Sequence, residues 1–196
     1  MSAPDLSALI GSRICHDIIN PLGAIGNGVE LLALSRAAPH QEMDLINRSV
    51  ADANAKVQVF RLAFGTADPG LSLTATEIHG LVGAYFAEGR TRCEVALNDP
   101  VPRPEAKAAL LAALCMDSAL PRGGTIRMNH ADGLWTVAAT GALRPDPDNW
   151  AVLAGKAPAQ SPTASTVHFA LLPRALHDLG RCARITRAPD RLAIAF

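Results

Sequence analysis

The stretch "SRICHDIINPLGAIGNG", residues 12–28, sets a histidine beside an aspartate and follows them with an Asn-Pro pair. His16 carries an imidazole that is nucleophilic when one ring nitrogen is unprotonated, a condition met near neutral pH. Asp17 can accept a proton or orient the ring. Asn20, one helical turn on, can donate to a phosphoryl oxygen or hold a water. The combination suits reversible phosphoryl transfer through a phosphohistidine, a reaction in which positioning supplies most of what a protein contributes.

Such a group has to be presented outward by a rigid element. Apolar residues at Leu6, Leu9, Ile10, Ile14, Ile18, Ile25, Val29 and Leu32 recur at helical spacing and predict a helix to about Leu34, with Ser2 capping and Asp5 three positions on. At 100° per residue, Ser12, Asn20, Gly23 and Asn27 fall within about 40° of His16, and Ile14, Ile18, Ile25 and Val29 lie toward the other side. His16 is therefore expected on the solvent face, among small or polar neighbours that let another protein approach. Pro21 removes a backbone donor and crowds the carbonyl of Asp17, which loosens or kinks the helix beside the histidine. The glycines at 23, 26 and 28 add further helix penalty.

After a break over "SRAAPHQE", with Pro39 suited to a helix start, Met43, Ile46, Val50, Ala53, Val57, Phe60 and Phe64 form one stripe along a second helix. The two helices read as an antiparallel hairpin over residues 1–66. Its apolar surface exceeds what one neighbour covers, so pairing with a second copy into a four-helix bundle is expected. The alternative is a hairpin that packs wholly on the rest of its own chain.

The turn-rich "GTADPGLS" separates this hairpin from a second domain, residues 72–196. There Thr74 and Glu77 form a capping-box signal, "RCEVAL" reads as a strand and "PEAKAALLAALCMDSAL" as a helix. "TIRMNH" and "LWTVAAT" flank Asp132-Gly133 as a hairpin. A loop with a short helix around Asn149 to Leu153 follows, then a helix from about Thr166 to Leu179 and two strands, "CARITR" and "RLAIAF". The sum is an α+β chain whose second part is an α/β sandwich, helices over one face of a mixed, largely antiparallel sheet.

Eighteen basic residues balance eighteen acidic ones, so no global field gathers nucleic acid or anionic lipid. Cys15, Cys93, Cys115 and Cys182 make no CxxC pair and no metal-knuckle spacing. No signal peptide or membrane-spanning run is evident, and a cytoplasmic protein is expected. His79, His130, His168 and His177 show no ligand spacing, and Trp135 reads as a core residue. Cys15 is expected beside the helix interface.

"HDIINPLGAIGNGVELL" resembles the H-box of histidine kinase dimerisation and phosphotransfer domains: His, an acid, two variable positions, Thr or Asn, then Pro-Leu. "SRICHDIINPLGAIGNGVELL" is similar to the alphaproteobacterial histidine phosphotransferases of the ChpT type, whose two-domain plan would cover nearly the whole chain. The resemblance implies that His16 is the phosphoacceptor, Asp17 its acid neighbour, and Asn20 a positioning or hydrolytic residue. It makes Arg13 a helper at the phosphate or at a partner's acidic pocket. Where ordinary kinases often carry Arg or Lys, three after the histidine, this chain has Ile19.

The second domain then resembles the ATP-binding domain of histidine kinases, in degenerate form. Leu111 and Cys115 stand where asparagines would serve Mg²⁺, and an apolar side chain and a thiol cannot replace hard oxygen ligands. Ala139 takes the place of the adenine-binding aspartate, Leu143 breaks the glycine pattern, and the loop before "VHFALLPRALHDLG" lacks phosphate-cradling glycines. The resemblance implies no cofactor and no metal on this chain, with Mg²⁺ brought by receiver domains. The implied partners are a second copy, the receiver of a hybrid histidine kinase and the receivers of response regulators that control transcription and proteolysis in the cell cycle. Two other readings stay open: an active kinase with an atypical ATP site, and a noncatalytic adaptor that binds a receiver or kinase.

Overall fold

Helix α1 (Leu6–Leu34) begins where Asp5 turns its carboxylate back, its Oδ1 accepting from the backbone N–H groups of Ser7 and Ala8 at 3.0 and 3.2 Å. Asp5 is thus the cap. The computed structural model describes residues 4–34, 40–157 and 160–196, so the expected roles of Ser2 and Pro39 fall outside the described residues. The helix continues through a buried Pro21. Helix α2 (His40–Ala63) returns along it, and the bare backbone of Gly28 meets Ile46.

The apolar stripe of α2 divides. Phe60 is buried, whereas Met43, Val50 and Val57 face away from the chain. The buried side includes Ala55, Val59, Leu62 and Ala63, because the second half of α2 is covered by α1 and by helices of the α/β unit together. Val29, placed on the apolar side of α1 by its spacing, is half exposed, as are Ile19 and Leu22.

The α/β unit starts with β1 (Ser72–Leu73), a two-residue strand that begins on the last residue of the stretch read as a turn. It pairs antiparallel with β3 (Val101–Pro102). Helix α3 (Ala75–Phe86) carries the expected capping box: the Glu77 N–H donates to Thr74 Oγ1 at 3.2 Å, and the Thr74 N–H donates to Glu77 Oε2 at 2.7 Å. These bonds hold the Glu77 carboxyl below its ordinary pKa.

The main sheet joins β2 (Thr91–Ala96), β4 (Gly124–Ala131), β5 (Leu134–Gly141), β6 (Arg184–Ala188) and β7 (Arg191–Ala195) in the order β2-β4-β5-β7-β6. Only the β2–β4 pair is parallel. Asp132 and Gly133, at φ 52° and 73°, make the left-handed two-residue turn that matches strand twist between β4 and β5.

Helices α3, α4 (Arg103–Ser118) and α6 (Val167–Asp178) cover one face of the sheet, joined by the short α5 (Pro147–Leu153). Helix α4 runs through the centre of the core, with every residue from Ala108 to Met116 buried. Trp135 on β5 and Trp150 on α5 are fully enclosed, Trp150 edge-on to Phe169 at 5.7 Å. No helix among the described residues is long and apolar enough to cross a membrane.

Candidate functional site

His16 projects from the exposed side of α1 with 77% of its side chain open to solvent. Ser12, Asn20, Gly23 and Asn27 share that exposed side, as the helical count requires. A Cβ added at Gly23 or Gly26 would meet nothing within 4 Å, so the surface beyond the imidazole is low and open.

The ring is held by its own neighbour. His16 Nδ1 lies 2.9 Å from Asp17 Oδ1. An ionised carboxylate only accepts, so the hydrogen-bond network assigns the proton of a neutral ring to Nδ1. The lone pair is then on Nε2, the nitrogen on the far side of the ring.

Asp17 is itself fixed at both oxygens. Its Oδ2 accepts from Arg13 Nε at 2.6 Å, one helical turn back, and its side chain is only 15% exposed. Arg13 Nη1 also donates to the carbonyl oxygen of Ser165 at 2.9 Å, across 152 residues of sequence. Ser165 belongs to the 3-10 turn Ala164–Thr166, which packs against α1 just ahead of α6. The structure therefore brings three of the four sequence-predicted residues into one connected line, Arg13 to Asp17 to His16. Asn20 stands exposed one turn beyond.

The remaining surroundings of Arg13 were not legible in the sequence. Burial raises the pKa of the Tyr85 phenol on α3, and the Arg13 charge opposes it. Burial likewise raises the Asp117 carboxyl on α4, with a Thr91 hydrogen bond and Arg13 working against the shift. His168 on α6, whose Nε2 meets Ser118 Oγ at 2.9 Å, is pushed down to about 3 by burial and then by Arg13. Arg13 thus lies near a partly buried polar seam drawn from α3, α4 and α6, elements that no local motif ties to α1.

The positions that would serve a nucleotide lie inside the core. Leu111, Cys115 and Ala139 are each 0% exposed. Leu143 packs against the same core, and the N–H of Arg144 donates to the carbonyl of Ala119 at 2.8 Å, folding the segment after β5 onto the end of α4. Between α5 and the 3-10 turn a cavity of about 120 Å³ is lined in part by the carboxylates of Asp146 and Asp148. Burial lifts the Cys115 thiol well above its ordinary pKa. Cys15, expected against the helix interface, is exposed, because it lies on the outer arc next to His16.

Residues 75–191, more than half of the chain, match the histidine phosphotransferase C-terminal domain family. The chain belongs to the histidine phosphotransferase family. Among the members of wider likeness, the protein phosphotransferase ChpT of Brucella abortus (strain 2308) is 37% identical over 136 residues, 67% of this chain. That match spans 65% of the relative's own length. The structure of a bacterial phosphotransferase superposes with a TM-score of 0.82 at 29% identity, covering 100% of this chain and 97% of the other. The full coverage extends the likeness from the matched segment to the helical hairpin that carries His16.

Proposed function

We infer that this histidine phosphotransferase family member relays phosphoryl groups between receiver domains through His16, without ATP. The observation that carries the reading is the exposed imidazole whose Nδ1 is held by Asp17. The Nε2 lone pair attacks the phosphorus of an aspartyl phosphate on an incoming receiver; the P–N bond forms and the P–O bond to the aspartate breaks, returning a carboxylate. The imidazolium character gained on the ring is stabilised by the Asp17 carboxylate at Nδ1. The reverse steps load a second receiver. Asn20, exposed one turn beyond His16, would donate to a phosphoryl oxygen. Mg²⁺ arrives with the receivers, whose transfers need it to neutralise developing oxygen charge.

The buried Leu111, Cys115 and Ala139 support independence from ATP, since their side chains offer a nucleotide or Mg²⁺ no oxygen or nitrogen. A homodimer is supported by the face left uncovered on the hairpin. Val29, Leu22 and Ile19 on α1 and Met43, Val50 and Val57 on α2 are all exposed in the single chain. Joining two such faces gives a four-helix bundle with His16 beside, not within, the seam. In this reading residues 1–66 dimerise and transfer, residues 72–196 support them, and the protein works in the cytoplasm alongside hybrid kinases and response regulators.

The test is incubation with a panel of ³²P-phosphorylated receiver domains and, separately, with labelled ATP and Mg²⁺. Wild type is expected to take label from at least one receiver and none from ATP, and His16→Ala to take none from either. Label from ATP would establish an autokinase instead. Receiver binding that survives His16→Ala, with no label on wild type, would establish an adaptor.

A further inference from the structure

We propose that Arg13 is a positioning residue that fastens the Asp17–His16 pair to the α/β unit, so that the tautomer and aim of the imidazole depend on the docked 3-10 turn. The proposal rests on His16 as phosphoacceptor and assigns its second domain a part in the chemistry.

The geometry is specific to arginine. One planar guanidinium donates in two directions, Nε to Asp17 Oδ2 at 2.6 Å and Nη1 to the Ser165 carbonyl at 2.9 Å. A lysine ammonium on a flexible stem does not hold two such directions in one plane. With both carboxylate oxygens occupied, Asp17 cannot rotate without breaking a bond to Arg13 or to His16. The Ser165 carbonyl is held in turn, since the Thr163 N–H donates to Thr166 Oγ1 at 3.0 Å and closes the turn around it.

Arg13 is also far less open to an incoming group than the imidazole is. Its side chain is 22% exposed, against 77% for His16. Its guanidinium is engaged by the Asp17 carboxylate and the Ser165 carbonyl. A residue held this way acts on the imidazole through Asp17 and not on the phosphate. The line from Ser165 through Arg13 and Asp17 to His16 is a continuous run of hydrogen bonds from one half of the fold to the reactive nitrogen's ring. A domain that offers ATP no ligands still supplies the carbonyl at its origin.

The experiment uses the full chain, labelled with ¹⁵N-histidine, as wild type, Arg13→Gln and Arg13→Lys, with amide spectra confirming that each is folded. Ring-nitrogen shifts report the His16 tautomer, and phosphoramidate, a small phosphodonor that needs no docking, reports its reactivity. Wild type is expected to show a protonated Nδ1 and a bare Nε2. Arg13→Gln should move the ring toward the Nε2–H form that an unconstrained histidine side chain prefers and slow phosphoramidate labelling about tenfold or more. Arg13→Lys, with a cation for Asp17 but no planar fork, should fall between, and it carries the test if Arg13→Gln does not fold. Unchanged tautomer and unchanged labelling in the variants would overturn the proposal. So would a loss seen only with phosphorylated receivers as donors, which would move Arg13 to the partner surface. A wild type with the expected tautomer that resists every donor would instead overturn the phosphoacceptor reading and leave the fastening of Asp17 standing.

Discussion

Ile46 of α2 rests on the bare backbone of Gly28 of α1, so closely that a Cβ at residue 28 would fall 2.6 Å from Ile46 Cγ1. This contact sets the approach of the two hairpin helices, and it separates Gly28 from the other glycines of α1. Alanine is the better helix former by about 1 kcal/mol. At Gly23, where the new methyl meets nothing, Gly23→Ala should raise the melting temperature. At Gly28 the overlap costs about 1–3 kcal/mol and outweighs the helix gain, so Gly28→Ala should lower it. Calorimetry of the two variants checks the pair; equal shifts in one direction would contradict the close crossing.

Val57 and Phe60 lie three residues apart on α2 and face different surroundings: Val57 is exposed and Phe60 is enclosed by its own chain. Val57→Asp should leave the fold intact and convert the proposed dimer to monomer, read by light scattering after size exclusion. Phe60→Asp places a charge in the core and should unfold the protein at any concentration. A Val57→Asp variant that remains fully dimeric would remove the bundle from the functional reading.

The seam near Arg13 makes stability depend on pH. His168 titrates near 6.5 in an unfolded chain and is pushed down to about 3 in the fold. Between those values the unfolded chain binds a proton that the folded chain refuses. The contribution of His168 is therefore full above pH 6.5 and declines as the pH falls toward 3. Asp117, whose carboxyl is raised by burial, works in the opposite sense, losing stability as the pH rises. Urea midpoints measured from pH 7 down to 4 should fall in wild type and fall less in His168→Asn, which keeps a polar partner for Ser118 without a proton to bind. Parallel slopes would show that His168 is not the source.

The four thiols should react in two classes. Cys15 and Cys182 are exposed and should be modified rapidly by a maleimide at neutral pH. Cys115 is fully enclosed, and the Cys93 thiol is pushed up to about 12 by burial, with Asp117 and Glu94 adding to the shift. These two should react only on unfolding. Mass spectrometry of the intact protein, native and denatured, counts them. Modification at Cys15 should also hinder transfer from a receiver, since it loads a bulky group next to His16.

The reactive face was legible in the sequence because it is local. A single helical count places His16, Asn20 and Gly23 outward, and Thr74–Glu77 and Asp132–Gly133 announce their cap and turn by residue type alone. The stripe on α2 misled at Val57 because periodicity marks what is apolar, not which neighbour covers it. The burial of Val59, Leu62 and Ala63 comes from α1 together with α3 and α4 of the α/β unit, a combination that no local pattern announces. The β1–β3 pair was missed since two residues carry no alternation. Arg13 shows the same boundary: its partner at i+4 follows from helix geometry, whereas Ser165 has no side-chain signature to announce its carbonyl.

That carbonyl belongs to the main chain, and this has a consequence for inheritance. Replacement of the side chain at position 165 leaves the acceptor in place as long as the turn keeps its course, so the bond tolerates drift at one of its ends and is exposed to mutation almost entirely at the other. Among variants of this chain, loss of the link should trace to codon 13 or to changes that reroute the backbone around 163–166.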